Sequence, residues 1–229
     1  MKINEHYDWS SHLPLIKAVL SVFKPEMVME LGTGLHSTKA FAECPDIKKL
    51  ICVEQDKEWL DEVQGKINNP DIQFIFDDMT DYAVVFQQFL KDLNIEQRNA
   101  ISQHYLEFAM GKTDEYRELV PKLLFVDNFT SCRALAIDVM YNFFDIFIYH
   151  DCEPNGILWY EYYFNKDIQR LYVHYVLKTP TAWTGCFIRR SLHDYTTEEK
   201  LRLAVQPYCD EFSSAHGLNP VSVCLERHA

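Results

Sequence analysis

The sequence predicts an α/β domain, a mostly parallel sheet between two helical layers, ending in antiparallel strands. Three observations carry this. Five short apolar runs each close on a glycine or a polar residue: Met27–Leu31 at Gly32, Leu50–Val53 at Glu54, Ile72–Phe76 at Asp77-Asp78, Leu123–Val126 at Asp127, and Ile146–Tyr149 at His150-Asp151. Stretches with helical spacing separate them, and strands apolar along their whole length between helices are those of a parallel sheet covered on both faces. After Asp151 the alternation stops and two longer runs follow in close succession.

Each element follows from local spacing. Leu13, Ile16, Leu20 and Phe23 share one face of a helix over Leu13–Phe23, which Pro25 ends. Ser37–Glu43 is a short helix. Lys57–Ile67 places Leu60, Val63 and Ile67 on one face, and Thr130–Phe143 does the same with Leu135, Val139 and Phe143. Met79–Lys122 is longer than the dozen or so residues a crossover needs. It predicts an insertion with helices around Tyr82–Leu93 and Glu96–Met110. Gln169–Leu177 and Ala182–Arg189 read as an antiparallel pair turning at Thr179-Pro180. Thr196 and Glu199 form a capping box for a helix to about Phe212. The sheet then counts seven strands, with Val221–Leu225 a candidate for one more. The domain reading is a single unit over 1–229, with a helical lid at 1–25 and a helical insertion at 79–122.

Composition excludes several classes. The chain has 229 residues, 48% hydrophobic and 24% charged, as ordinary globular domains do. Lys and Arg number 22 against 34 Asp and Glu, a net charge of −12. Such a chain repels phosphate backbones, so no nucleic-acid partner is expected. No apolar run reaches the roughly 20 residues of a membrane span, and no membrane partner is expected. Met1–Pro14 carries His6, Asp8 and His12 without an apolar core, so it does not read as a signal peptide. The seven cysteines are dispersed and none forms C-x-x-C, which predicts reduced, mostly buried thiols and a cytoplasmic location.

The residues with chemistry cluster at strand ends. After Glu30-Leu31, the turn Gly32-Thr33-Gly34 leads into a helix at Ser37-Thr38. Glycines let a backbone approach a ligand closely, and a helix N-terminus favours anionic groups. Glu54 ends the next strand, 24 residues after Glu30. A carboxylate at that place suits a ribose diol. One of Asp77 and Asp78 is in position to accept from an adenine amino group, or to cap the segment that follows. Asp127, His150 and Asp151 end two further strands on the same crevice, and a histidine titrates near neutrality.

Glu30-Leu31-Gly32-Thr33-Gly34 resembles motif I of class I S-adenosylmethionine-dependent methyltransferases, with Ser37-Thr38 matching its "G-S-T" continuation. Val53-Glu54-Gln55-Asp56-Lys57-Glu58-Trp59 resembles the "V-E-x-D-x-x-W" segment of one subgroup, Phe125-Val126-Asp127 its "F-I-D", and Tyr149-His150-Asp151 its "x-H-D". The blocks span Met27–Asp151. The third glycine of motif I is absent, and Leu35-His36 alter the turn. The resemblance implies a three-layer Rossmann-like fold and S-adenosylmethionine as cofactor. Glu30, Gly32, Gly34, Ser37, Glu54, Asp77 and Asp78 would hold it. His150, Asp127 and Asp151 would face a small-molecule or glycan-like acceptor, with oxygen as the accepting atom. Catechol-type members place Mg²⁺-binding carboxylates near Asp127 and Asp151, followed by Asn; Cys152 follows Asp151 and breaks that pattern, with Asn128 the remaining substitute. Mg²⁺ is therefore only a secondary expectation, and no metal ligand is assigned. The aromatic run Trp159–Phe164 and the N-terminal His6, Tyr7, Trp9 and His12 would border acceptor and cofactor, or pack in a core or a homodimer interface. Two alternatives stay open: an NAD-dependent oxidoreductase, and a catalytically degenerate protein that binds cofactor or partners.

Overall fold

The computed structural model describes residues 10–78, 93–128, 130–152, 166–180, 182–216 and 224–228. The expectations for Tyr82–Leu93 up to residue 92, for Trp159–Phe164 and for His6, Tyr7 and Trp9 fall outside these residues.

The elements run α1 (Leu13–Phe23), β1 (Met27–Leu31), α2 (Ser37–Ala42), β2 (Lys49–Glu54), α3 (Lys57–Ile67) and β3 (Ile72–Phe76). They continue with α4 (Ile95–Glu115), β4 (Lys122–Val126), α5 (Thr130–Met140), β5 (Ile146–His150), α6 (Lys166–Leu171), β6 (Tyr172–Lys178), β7 (Thr184–Arg189), α7 (Thr197–His216) and β8 (Cys224–His228). A 3₁₀ turn, Tyr141–Phe143, ends the α5 segment. The sheet has eight strands in the order β3-β2-β1-β4-β5-β7-β6-β8. From β3 to β5 every pairing is parallel. β7 joins β5 antiparallel, and β6 and β8 complete the antiparallel edge. The three-layer α/β class expected from the sequence is the one adopted.

The strands are apolar on both faces because both faces are covered. Alternate residues of each strand enter two separate cores. Val28, Cys52, Phe125, Ile146 and Ile148 meet Leu15, Ile16 and Val19 of α1, Phe41 of α2, and Leu201, Val205 and Cys209 of α7. Met27, Met29, Leu31, Leu124, Val126 and Phe147 meet Ile101, Tyr105 and Ala109 of α4 and Ala136, Ile137 and Met140 of α5. Each fully buried Val, Leu, Ile, Met or Phe among them contributes about 1.5–3 kcal/mol relative to exposure.

Among the described residues the eighth strand covers Cys224–His228 and pairs with β6, and positions 221–223 of the expected strand lie outside them. Three differences from the sequence reading have physical reasons. Gln169–Leu171, read as strand, belongs to α6, whose Ile168 is buried in the α5-side core. The helix at Glu96–Met110 runs from Ile95 to Glu115, capped by Asn94 and Gln97 in a reciprocal box. At the start of α7, Asp194 rather than Thr196 holds the turn: its Oδ1 accepts from Thr196 N–H and from the hydroxyls of Thr196 and Thr197. A carboxylate outcompetes a hydroxyl as acceptor.

Candidate functional site

The chain leaves β1 toward β2 and β3 on one side, then returns to build β4 and β5 on the other. A sheet whose order reverses in this way opens a crevice beyond the carboxyl ends of the two central strands. A cavity of about 660 Å³ occupies that place. Its walls are the turn Thr33–Ser37, Trp59, Glu62 and Lys66 of α3, Asp127, His150 and Asp151 at the ends of β4 and β5, and His12 ahead of α1. The volume falls in the range of small-molecule sites.

The first turn is built by backbone contact. Gly32 has φ +85°, a conformation that a side chain would strain. A Cβ there would lie 2.5 Å from the Asp127 carbonyl and 2.6 Å from Asn128 N. The loops after β1 and β4 thus touch backbone to backbone. Gly32 N–H donates to Val53 O and Asp127 N–H to Leu31 O, extending the ladder by one step on each side.

Glu30 lies beneath this turn, fully buried and outside the cavity. Its Oε2 accepts from Thr38 Oγ1 at 2.6 Å and from Cys52 Sγ at 3.2 Å. Burial raises its pKa to about 7, against the opposing bonds from Ser37, Thr38 and Cys52. Its role in this geometry is to anchor the first turn of α2.

Glu54 is also engaged. Oε2 accepts from Thr33 N–H at 2.8 Å and Thr33 Oγ1 at 3.1 Å, while Oε1 accepts from Gln55 N–H at 2.8 Å and Asp56 N–H at 3.0 Å. A carboxylate has about four acceptor sites, and four donors occupy them. Trp59 Nε1 donates to Thr33 O at 2.7 Å and fixes the turn from the α3 side. Glu54 therefore backs the turn, and a ribose hydroxyl reaches it only when the Thr33 hydroxyl rotates away. Asp77 pairs with His104 of α4 at 2.9 Å, which raises the His104 pKa by that bond first. Neither Asp77 nor Asp78 lines the cavity. Gly34 and Ser37 do, as does the exposed His36.

At the opposite wall the three strand-end residues meet. His150 Nδ1 lies 3.4 Å from Asp127 Oδ1 and 3.5 Å from Asp151 Oδ1. Its Nε2 is 2.8 Å from Ser11 Oγ. Arg133, on the first turns of α5, was not singled out in the sequence. Its Nη2 is 2.8 Å from Asp127 Oδ1, its Nη1 donates to Asp151 Oδ2 at 2.7 Å and to His150 O at 3.0 Å, and its Nε donates to Asn128 O at 2.6 Å. Asp151 turns back toward Arg133 with φ +57°. Burial works against charging His150, but Asp127 and Asp151 outweigh it and raise its pKa. Burial likewise opposes ionising Asp127, yet Arg133 and His150 hold its carboxyl down to about 2. His12, 3% exposed, has a pKa lowered to about 3, first by burial and then by His150.

Arg133, Trp59, Thr33 and Ser11 are what sequence reasoning missed. Trp59 stood inside the quoted "V-E-x-D-x-x-W" block, so its spacing was the available signal. Arg133 follows Asp127 by six residues, where the next helix turns back over the strand end. Nothing local marks Ser11.

No family model matches the chain, and no curated protein matches it. Solved structures do. The spermidine synthase from Thermotoga maritima has TM-score 0.45 and 11% identity over 83% of this chain, which spans only 62% of that protein. The N-methyltransferase NodS from Bradyrhizobium japonicum WM9 has TM-score 0.44 and 11% identity, covering 82% of this chain and 99% of its own. An rRNA methylase from Streptococcus thermophilus has TM-score 0.43 and 12% identity, over 78% and 93%. At these identities and scores, none of the likenesses bears on what the chain does.

Proposed function

We propose that the chain is an S-adenosylmethionine-dependent methyltransferase acting on an oxygen atom of a small-molecule or glycan-like acceptor. One observation carries the reading: the glycine turn Gly32–Ser37 and the Asp127–His150–Asp151 wall face each other across one cavity at the point where the strand order reverses. A nucleoside-bearing cofactor and an acceptor need that pairing of a close-approach backbone with a proton-handling wall.

The residues fit the cofactor with one adjustment. Gly34 and Ser37 offer the cavity a side-chain-poor surface, and Gly32 keeps the turn pressed on the β4 loop. Glu30 supports the turn from below. Glu54 receives a ribose hydroxyl once the Thr33 hydroxyl turns aside, and Asp77 and Asp78, just past β3 and outside the cavity lining, are the candidates for the adenine amino group. When bound, S-adenosylmethionine supplies a methyl group on a sulfonium for in-line displacement. The protein's share is to hold the acceptor in line and to remove its proton. His150 Nδ1 takes that proton, and Asp127 and Asp151 stabilise the imidazolium. Arg133 holds both carboxylates in place. Mg²⁺ is not part of the proposal, because the groups nearest Asp127 are imidazoles and a guanidinium rather than further oxygens.

Photo-crosslinking with radiolabelled S-adenosylmethionine, followed by peptide mapping, tests this reading. Label is expected in the peptides carrying Thr33–Ser37 or Trp59–Lys66. Label confined to other peptides would contradict it.

A further inference from the structure

His12 is buried without use for its polar atoms. Among the described residues, neither ring nitrogen has a hydrogen-bond partner, and the residue is 3% exposed. Leaving a buried polar group unsatisfied is unfavourable, so the position favours a ligand that takes an imidazole lone pair. The ring faces the cavity and stands edge-on to His150, with centroids 4.9 Å apart. One ligand atom from each of His12, Asp127 and His150 lies within 4.8 Å of the others.

We propose that His12, His150 and Asp127 form a binding site for a transition-metal ion of the zinc–iron class, with its open position toward the cavity. Two imidazoles and a carboxylate suit such ions, whereas Mg²⁺ prefers an all-oxygen shell. The His150 Nδ1 to Asp127 Oδ1 separation is 3.4 Å, close to the roughly 3.4 Å edge of a tetrahedron with bonds of about 2.1 Å. Since no two of the three ligand atoms are more than 4.8 Å apart, closing the site takes a shift of at most about 1.4 Å. The outer groups are those a metal site needs. Ser11 Oγ lies 2.8 Å from His150 Nε2, so that with the proton on Nε2 the hydroxyl accepts it and the Nδ1 lone pair is left to the ion, and Arg133 bonds the ligating carboxylate. Asp127 and Asp151 against Arg133 leave one net negative charge for the cation to meet. A bound ion and a proton compete for His150 Nδ1. With the ion present, an acceptor hydroxyl would be acidified by direct coordination instead.

The test uses the full chain, stripped with a chelator, and metal alone with no nucleoside. One equivalent of Co²⁺ is expected to give visible d–d absorption, which Zn²⁺ abolishes and millimolar Mg²⁺ leaves unchanged. Zn²⁺ should raise the melting temperature. His12→Leu should lose at least 100-fold in affinity while melting no lower than the metal-free wild type, since it removes two unsatisfied polar atoms. Ser11→Ala, which keeps all three ligands, should lose about 10-fold. His193→Gln, outside the cavity, should bind as the wild type does. Absence of stoichiometric cobalt binding, or binding unchanged in His12→Leu and Ser11→Ala, would overturn the site. No nucleoside enters the assay, so its failure leaves the methyl-transfer reading standing, and the reverse also holds.

Discussion

Arg133 joins groups that the sequence marks only one by one. Asp127, His150 and Asp151 are legible as strand-end residues, because apolar runs that stop on acids and histidine announce themselves. Their common cation is not, because it arrives from a helix whose rotation depends on packing. Removing it should be costly: Arg133→Met leaves Asp127 without its counter-charge and is expected to lose about 3–5 kcal/mol in urea unfolding. Arg133→Lys should recover only part, since an ammonium cannot fork between two carboxylates. Unchanged stability in both variants would mean that the ion pairs do not form in solution. Glu30 makes a different prediction. Its pKa is raised to about 7, chiefly by burial, from an ordinary 4.5. A carboxyl raised in the folded state contributes stability that is full below the unfolded value and lost as pH rises through the folded one. Wild-type stability should therefore fall between pH 4.5 and 7 relative to Glu30→Gln, by an order of 1 kcal/mol per pH unit. Denaturation curves of the two proteins at pH 5 and pH 8 check this. A difference that does not change with pH would show that Glu30 is not titrating in that range. The sequence reading placed Glu30 and Glu54 against the cofactor. Their spacing from the glycines is visible in the chain, but the donors that surround them come from Thr33, Thr38 and Cys52 and follow only from the fold.

Among the elements, the five parallel strands are the most legible, since burial on both faces imposes an unbroken apolar run. Strand-helix boundaries late in the chain are less so. Gln169–Leu171 carries the same residue types as the strand it precedes, and only its packing against the α5-side core makes it helical. Two glycines fix how elements approach each other. Gly32→Ala would strain a positive φ and drive a Cβ into the Asp127–Asn128 backbone. It should cost about 3 kcal/mol or more and abolish binding in the cavity. Gly185 of β7 lies opposite Tyr149 of β5, and a Cβ there would come within 2.1 Å of the Tyr149 ring. Gly185→Ala should destabilise by about 1–3 kcal/mol, the range of overpacked cores. Because Gly185 is outside the cavity lining, it should leave ligand affinity close to that of the wild type. Thermal melts and ligand titrations of the two variants separate the two outcomes. Loss of affinity in Gly185→Ala would connect the antiparallel edge to the site.

For the whole molecule, the order of strands determines where chemistry is possible. An acidic chain with a net charge of −12 keeps two of its histidines, His12 and His150, at one wall of one cavity, with a buried cation, Arg133, bonded to the Asp127 and Asp151 of that wall. No helix among the described residues is long and apolar enough to cross a membrane. The fold class and the location of the site were legible in the sequence because a parallel sheet ties strand ends to a crevice. His12 was named there only among several N-terminal residues; its burial beside His150 was not legible, because it depends on α1 docking against α7 and the sheet. The most direct measurement is calorimetric titration of the chain with S-adenosylmethionine, S-adenosylhomocysteine and NAD. One-to-one binding of the first two, with no heat from NAD, is the predicted result. Binding of NAD alone, or of none of the three, would contradict the account.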